Sequence, residues 1–169
     1  KVLGVAAWAS PALRGAGFVA PPCYQAVRTQ LLDGEAGEAL AVLRQIVAQS
    51  TQPTSMLPPT TMIDVVTDAG GGGWCAALCS EGVVRAVQRG NLPEDVASWS
   101  STAREAVAVA EAIRAFALPV VADVSTDSSA LAAIIGRTRT RSLGVARAFV
   151  DVVGWLRQGM RLSASWTRR

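Results

Sequence analysis

The stretch Met62-Ile-Asp-Val-Val-Thr-Asp-Ala-Gly-Gly-Gly-Gly-Trp74 decides the predicted fold of this 169-residue chain. Its β-branched side chains recur at every second position between residues 62 and 68, and a period of two residues predicts a strand. The glycine run after it allows a tight turn and lets another backbone or a ligand come close. We therefore expect Asp68 at the end of a central strand, where its carboxylate either caps the turn or binds a cation.

The composition excludes several classes of site. The length of 169 residues is enough for one domain and an appendage, and the 50% of hydrophobic residues are enough for a core. No run of about 18 uncharged apolar residues occurs, so we expect no membrane partner. The chain has no His, which excludes His-based triads and His metal ligands. Its three cysteines lack CxxC spacing and are expected in the core. Because it begins with Lys and shows no signal peptide, we expect a piece of a longer polypeptide or a processed product.

The net charge of +3 conceals a gradient along the chain. Residues 61–136 carry four basic and nine acidic side chains, whereas residues 137–169 carry eight Arg and one Asp. An acidic centre beside a basic flank suits a site that holds cations next to a surface that holds phosphates. It also suits a domain whose two faces dock different neighbours.

Residues 1–61 are predicted to form a helical segment and a linker. Tyr24 to Ser50 is predicted as one helix with a buried stripe of Leu32, Leu40, Leu43 and Val47. Residues 51–61 hold three prolines among polar residues, which favours an extended linker. We place a domain boundary there, so that the compact domain covers residues 62–169.

The compact domain is predicted to be an α/β fold with a mixed five-stranded sheet flanked by helices. The predicted strands are 62–68, 74–80, 83–89, 119–127 and 161–167, and the predicted helices are 99–117, 128–135 and 145–158. The first three strands form an antiparallel meander. A right-handed crossover then makes the fourth strand parallel to the first. Asp68 and Asp127 would lie side by side at one edge, within reach of Glu105 on the first helix.

Each of these acids has an alternative role. Glu105 continues the buried stripe of its helix, and its partner is either the backbone N–H of Thr102, in a capping box, or a metal ion shared with Asp68. Asp127 is either the N-cap of the helix that follows or a ligand. Residues 136–144 contain three alternating arginines, Arg137, Arg139 and Arg141, which either grip phosphates or form a solvated loop.

Taken in order, the motifs resemble those of the ribonuclease H (RNase H) fold. Thr67-Asp68-Ala69 with the following Gly-Trp, then Arg104-Glu105-Ala106-Val107-Ala108-Val109, then Thr126-Asp127-Ser128 are similar to the TDAS…GW, ELLAV and SDN segments of retroelement RNase H domains. Among these elements, DIRS-like and VIPER-like ones are the most similar. Residues 3–10 also resemble the connection that precedes RNase H in a reverse transcriptase, which would make residues 1–61 connection-like.

The resemblance implies an endonuclease that hydrolyses the RNA strand of RNA–DNA hybrids with two Mg²⁺ (or Mn²⁺) ions. It makes Asp68, Glu105 and Asp127 the catalytic metal ligands, with Asp68 bridging both ions. Arg137, Arg139 and Arg141 would bind duplex phosphates, and Gly71 and Gly72 would let a nucleic-acid backbone come close. The other implied partner is the rest of a reverse transcriptase polyprotein, in the nucleus or cytoplasm.

Two departures from the family pattern leave an alternative function open. The fourth acidic ligand that usually follows the last strand is absent, so we expect the domain to be truncated at its C-terminus, and the His-bearing loop of many relatives is absent too. The alternative is a catalytically degenerate RNase H-like fold that binds nucleic acid or serves as a scaffold in a larger ribonucleoprotein. A third possibility, phosphate cradling by Gly70–Gly73 in another α/β enzyme, lacks the Lys-Ser/Thr of a P-loop.

Overall fold

The computed structural model describes residues 15–49, 62–116, 121–157 and 160–168. These ranges contain five strands, namely β1 Met62–Gly70, β2 Gly73–Ser80, β3 Val83–Asn91, β4 Val121–Thr126 and β5 Arg161–Trp166. They also contain the helices α1 Ala16–Thr29, α2 Gly34–Gln49, α3 Glu94–Ala97, α4 Ser101–Phe116, α5 Ser129–Arg137 and α6 Leu143–Arg157. None of these helices is long and apolar enough to cross a membrane. The predicted linker at 51–61 and the resemblance at residues 3–10 lie outside the described residues.

The five strands form one sheet in the order β3-β2-β1-β4-β5. The pairs β1–β2 and β2–β3 are antiparallel, whereas β4 and β5 run parallel to β1. The predicted fold class is therefore confirmed, including the parallel pairing of the first and fourth strands. The crossover rule suffices to predict this parallel pairing, because α4 lies between β3 and β4 in the sequence and returns the chain to the same sheet.

Alternating side chains give the sheet one buried face and one exposed face. Val65, Ala76 and Val124 belong to the buried face, which α4 covers. On the opposite face Asp64 and Cys75 are exposed. The expectation that all three cysteines belong to the core is thus wrong for Cys75, because its strand position directs it to the uncovered face. Cys23 is buried in α1, and burial raises the pKa of its thiol.

The N-terminal helices differ most from the prediction. Instead of one helix over 24–50, α1 ends at Thr29 and α2 begins at Gly34, with Asp33 Oδ1 accepting a hydrogen bond from Ala36 N at 2.8 Å. The predicted stripe is also wrong at Leu32, which is 67% exposed between the two helices, and at Val47, which is 45% exposed. Leu43 of the predicted stripe is buried as expected, and the other buried positions of α2 are Ala36, Ala39 and Ile46.

Helix α1 packs directly against the C-terminal half of the chain. The Phe18 ring meets the Phe149 ring of α6 edge-on, with the ring centroids 4.9 Å apart. Gly15 lies so close to Val153 that an added Cβ would come within 2.8 Å of a valine methyl group. Leu43 of α2 belongs to the same buried cluster. The helices of the N-terminal segment therefore share one core with the helices that cover the sheet.

Candidate metal centre

Adjacent strands bring the first two predicted ligands together. Along the parallel pair β1–β4, Met62 is opposite Val121 and Val66 is opposite Ser125. Two residues further in this register, Asp68 comes opposite Asp127. Asp68 is exposed and Asp127 is half-buried. In contrast to the prediction, β1 continues to Gly70, so Asp68 lies inside the strand, paired with Cys75 of β2, and not at its end.

The third predicted ligand reaches the same place from α4. Glu105 is only 4% exposed, and its Oε1 accepts a hydrogen bond from the main-chain N–H of Ala69 at 3.3 Å. Because Ala69 directly follows Asp68, this bond ties the helix carboxylate to the strand that carries the neighbouring acid. The hydrogen bond therefore orients the Glu105 carboxylate toward β1.

The three acids form a cluster whose members come from three different elements. One carboxylate oxygen each of Asp68, Glu105 and Asp127 lies within 4.8 Å of the other two. Three negative charges so close together repel one another, and a divalent cation relieves the repulsion. The structure therefore brings together all three acids that the sequence singled out.

The alternative roles of Glu105 and Asp127 as helix caps are not what the structure shows. Thr102 lies inside α4 and does not cap it. The first turn of α4 is capped by Ser100, whose Oγ accepts a hydrogen bond from Ala103 N at 3.3 Å. Likewise Ser128 caps α5 by accepting from Leu131 N at 3.2 Å. In both helices the N-cap is therefore the serine that precedes the first helical residue. The carboxylates of Glu105 and Asp127 do not serve as caps and belong to the cluster.

The glycine run makes the hairpin turn beside the cluster. Gly71 and Gly72 have φ of +57° and +82°, and they connect the paired residues Gly70 and Gly73. Positive φ at both central residues is the type I′ turn that suits two-residue hairpins. The turn itself thus requires residues that tolerate positive φ at positions 71 and 72, as glycine does. No heavy atom of the described residues lies within 4 Å of a Cβ built on Gly71 or Gly72, so the described chain leaves the space around the turn open.

The three predicted phosphate-binding arginines lie apart from the acids. Arg137 ends α5, and Arg139 and Arg141 follow before α6; all three are exposed. Asp127 precedes the opposite end of α5. The arginines line a groove together with residues of α1, including Tyr24 and Arg28. The sequence reasoning missed this partner helix.

The comparisons with known proteins bear on the fold. No family model matches the chain, and no curated protein matches it. Among solved structures, LC11-RNase H1, isolated from compost by a metagenomic approach, matches 64% of this chain and 85% of its own with 14% identity and a TM-score of 0.50. Its complex with an RNA/DNA hybrid matches 63% and 86% with 15% identity and a TM-score of 0.50. RNase H1 of the halophilic archaeon Halobacterium salinarum matches 64% and 87% with 15% identity and a TM-score of 0.48.

The fold is ribonuclease H-like. The mixed sheet and its order agree with this likeness. The acidic cluster lies where β1, α4 and β4 meet.

Proposed function

We propose that this chain is a divalent-metal-dependent endonuclease that hydrolyses the RNA strand of RNA–DNA hybrids, within a retroelement reverse transcriptase. The observation that carries the proposal is the convergence of Asp68, Glu105 and Asp127, whose oxygens lie within 4.8 Å of one another on an RNase H-like fold. The likeness to LC11-RNase H1, which was crystallised with an RNA/DNA hybrid, supports the choice of substrate.

The donor set fits Mg²⁺ or Mn²⁺. All three donors are carboxylate oxygens, which these hard cations prefer to nitrogen or sulfur ligands. An ion about 2.1 Å from each of two oxygens holds them at most about 4.2 Å apart. Two oxygens 4.8 Å apart would therefore need to approach by about 0.6 Å to lie on opposite sides of one cation and by about 1.8 Å to occupy adjacent octahedral positions, which is within the range of side-chain rotation.

The three acids would have different roles in metal binding because they differ in burial. Glu105, buried and held by Ala69 N–H, supplies a fixed ligand, whereas exposed Asp68 faces the position where a nucleic-acid strand would lie. Asp127, held at the end of β4, completes the set. When bound, the metal lowers the pKa of the attacking water and stabilises the leaving oxygen. The open space at Gly71 and Gly72 would let the nucleic-acid backbone pass close to Asp68.

The larger setting is also part of the proposal. We propose residues 1–61 as a connection-like segment with a linker and residues 62–169 as the RNase H-like domain, in a DIRS-like or VIPER-like element. The ordered motifs around Asp68, Glu105 and Asp127 support this origin.

A catalytically degenerate, nucleic-acid-binding RNase H-like fold is the second candidate. The observation that favours it is the size of the cluster: within the described ranges it contains three carboxylates and no fourth. Fewer ligands bind divalent ions more weakly. A fold with a weakly bound metal would bind nucleic acid without cleaving it.

Cleavage of an RNA–DNA hybrid labelled on its RNA strand, with Mg²⁺ or Mn²⁺, tests the proposal. We expect Asp68→Asn to lower the cleavage rate by at least about 100-fold, because it removes a negative ligand that stabilises transition-state charge through the metal. Asp64→Asn is the matched control, since Asp64 is exposed on the same face of β1, four residues before Asp68 and outside the cluster. Calorimetric Mn²⁺ titration should show weaker binding for the Asp68 variant only.

The outcomes separate the two candidates. Undiminished cleavage by the Asp68→Asn protein would overturn the assigned site. Tight, salt-sensitive hybrid binding by the unmodified chain without any cleavage would favour the degenerate fold.

A further inference from the structure

A groove lies between α1 and α5 and encloses about 1290 Å³. One wall is α1, with Pro21, Tyr24 and Arg28 among its lining residues, and the other wall is α5 with the segment that follows it. We call this feature the α1–α5 groove. Both walls belong to described residues, and they join an N-terminal helix to the arginine-rich segment of the C-terminal half.

The α1–α5 groove is strongly basic. Among the described residues, its lining includes four arginines, Arg28, Arg137, Arg139 and Arg141, and no Asp or Glu. The four guanidinium groups form no ion pair with another described residue. Side chains of this kind, on a concave surface without acids, attract phosphates and other anions.

Two arginines elsewhere in the described chain, Arg114 and Arg147, are paired with acids. Arg114 pairs with Glu111 and Asp151, and the hydrogen bond from Arg114 to Glu111 raises the pKa of Arg114. Arg147 pairs with Glu35, which raises the pKa of Arg147. What distinguishes the groove is that four arginines without an ion pair among the described residues lie together on one concave surface.

Helix α1 also holds the arginine segment in place. Gly17 O accepts a hydrogen bond from Thr140 N at 3.3 Å. A Cβ built on Gly17 would come within 2.5 Å of Thr138 O and 2.7 Å of Arg139 Cβ, so only glycine permits this approach of the two backbones. The contact fixes the segment between Arg137 and Arg141 against α1, which makes the groove a preformed surface.

The groove starts near the acidic cluster and extends away from it. Ala130, in the first turn of α5, lines the groove, and Asp127 lies three residues earlier in the chain. Helix α5 extends from Ser129 to Arg137, a distance of about 12 Å at 1.5 Å per residue. A nucleic-acid strand with one phosphate per roughly 3.4 Å of duplex axis covers this distance in about four nucleotides.

We propose that the α1–α5 groove binds the phosphate backbone of the hybrid about four nucleotides from the phosphate at the acidic cluster. This inference rests on the proposed function for its choice of nucleic acid. It adds α1, and Arg28 in particular, to the residues that hold the substrate. The N-terminal segment would then be part of the substrate-binding surface and not only a connection.

Fluorescence-anisotropy titration of a hybrid in EDTA tests the groove without any need for cleavage. We expect the double variant Arg28→Gln/Arg139→Gln to lose about tenfold or more in affinity at moderate salt, and its plot of log affinity against log salt to become shallower by about 2, one for each lost phosphate contact. The control is Arg44→Gln, an exposed arginine of α2 outside the groove, which should change neither quantity.

Neutral methylphosphonate linkages introduced one at a time along each strand locate the contact. Neutralising the phosphates about four nucleotides from the cleavage position should weaken binding by the unmodified protein, whereas the double variant should be insensitive there. Sensitivity that is the same in both proteins would overturn the inference.

The outcomes distinguish the groove from the catalytic proposal. Loss of hybrid affinity in the double variant, with no cleavage by any protein, would support the groove and reject the nuclease. Cleavage by a double variant whose affinity and salt dependence are unchanged would support the nuclease, overturn the groove as a nucleic-acid site and leave a protein partner as its occupant.

Discussion

Two buried threonines on neighbouring strands differ in how their hydroxyl groups are satisfied. Thr67 of β1 is 4% exposed and Thr126 of β4 is 2% exposed, and the register between the strands sets them side by side. Thr126 Oγ1 accepts a hydrogen bond from Ser128 N at 3.1 Å. Thr67 Oγ1 is buried without a hydrogen-bond partner among the described residues. A buried hydroxyl without a partner costs free energy that a methyl group of similar shape does not.

We predict opposite effects of the same substitution at these two sites. Thr67→Val should raise the free energy of unfolding by about 1 kcal/mol, because it removes an unsatisfied polar group. Thr126→Val should lower it by about 1 kcal/mol, because it leaves Ser128 N–H without its acceptor. Urea denaturation followed by tryptophan fluorescence measures both, and effects of the same sign in the two variants would contradict the prediction.

At the scale of single residues, the sequence predicts the acids better than the contacts that hold them. The order of Asp68, Glu105 and Asp127 along strand, helix and strand suffices to place them together, since parallel strands end at the same edge. It does not predict the bond from Ala69 N–H to Glu105, because a main-chain donor has no signature in side-chain identity. Nor does it predict the caps, because Ser128 stands next to Asp127 and either residue type caps a helix.

The hairpin between β1 and β2 is the element most closely tied to the cluster. We predict that Gly71→Ala and Gly72→Ala each lower the free energy of unfolding by about 1–2 kcal/mol, because alanine is strained at positive φ. Gly70→Ala is the matched control: Gly70 is exposed, has no positive φ and has open space around it. Thermal unfolding followed by circular dichroism measures all three.

The same hairpin variants should also weaken metal binding, since Ala69, which holds Glu105, lies two residues before Gly71. Mn²⁺ titration of the folded variants measures this effect. A Gly70→Ala protein as destabilised as the other two would show that φ is not the cause.

Helix boundaries in the N-terminal segment show where element prediction fails. Pro21 and Pro22 predict a break because proline lacks an N–H, yet both are buried inside α1. Packing of α1 against α6 and of Gly17 against Thr138 outweighs the missing donors. A signal for the second boundary was present: Asp33 precedes Gly34 and Glu35 and caps α2. The predicted buried stripe was wrong because it assumed one continuous helix across the boundary between α1 and α2.

At the scale of the whole molecule, the N-terminal helices share one hydrophobic core with β1, β4 and α4, the elements around the acidic cluster. We predict that Phe18→Ala lowers the free energy of unfolding by about 3–5 kcal/mol, because it removes the ring that packs on Phe149. The matched control is Val27→Ala, also on α1 but 65% exposed, which should change stability by no more than about 0.5 kcal/mol. Denaturant unfolding followed by both circular dichroism and tryptophan fluorescence measures these changes.

If the core is one cooperative unit, both probes should report one coincident transition that shifts as a whole in the Phe18 variant. An early helical transition that leaves the fluorescence of the sheet side unchanged would show instead that the N-terminal helices unfold independently.

The bond from Ala69 N–H to Glu105 has a consequence for how far such a chain can diverge. Every amino acid except proline offers the same amide, so mutation at position 69 leaves the donor in place. Selection would then need to preserve only the three carboxylates and the place of residue 69 in the strand, while the other positions could change. A centre anchored in this way can persist in descendants whose ancestry no alignment would reveal.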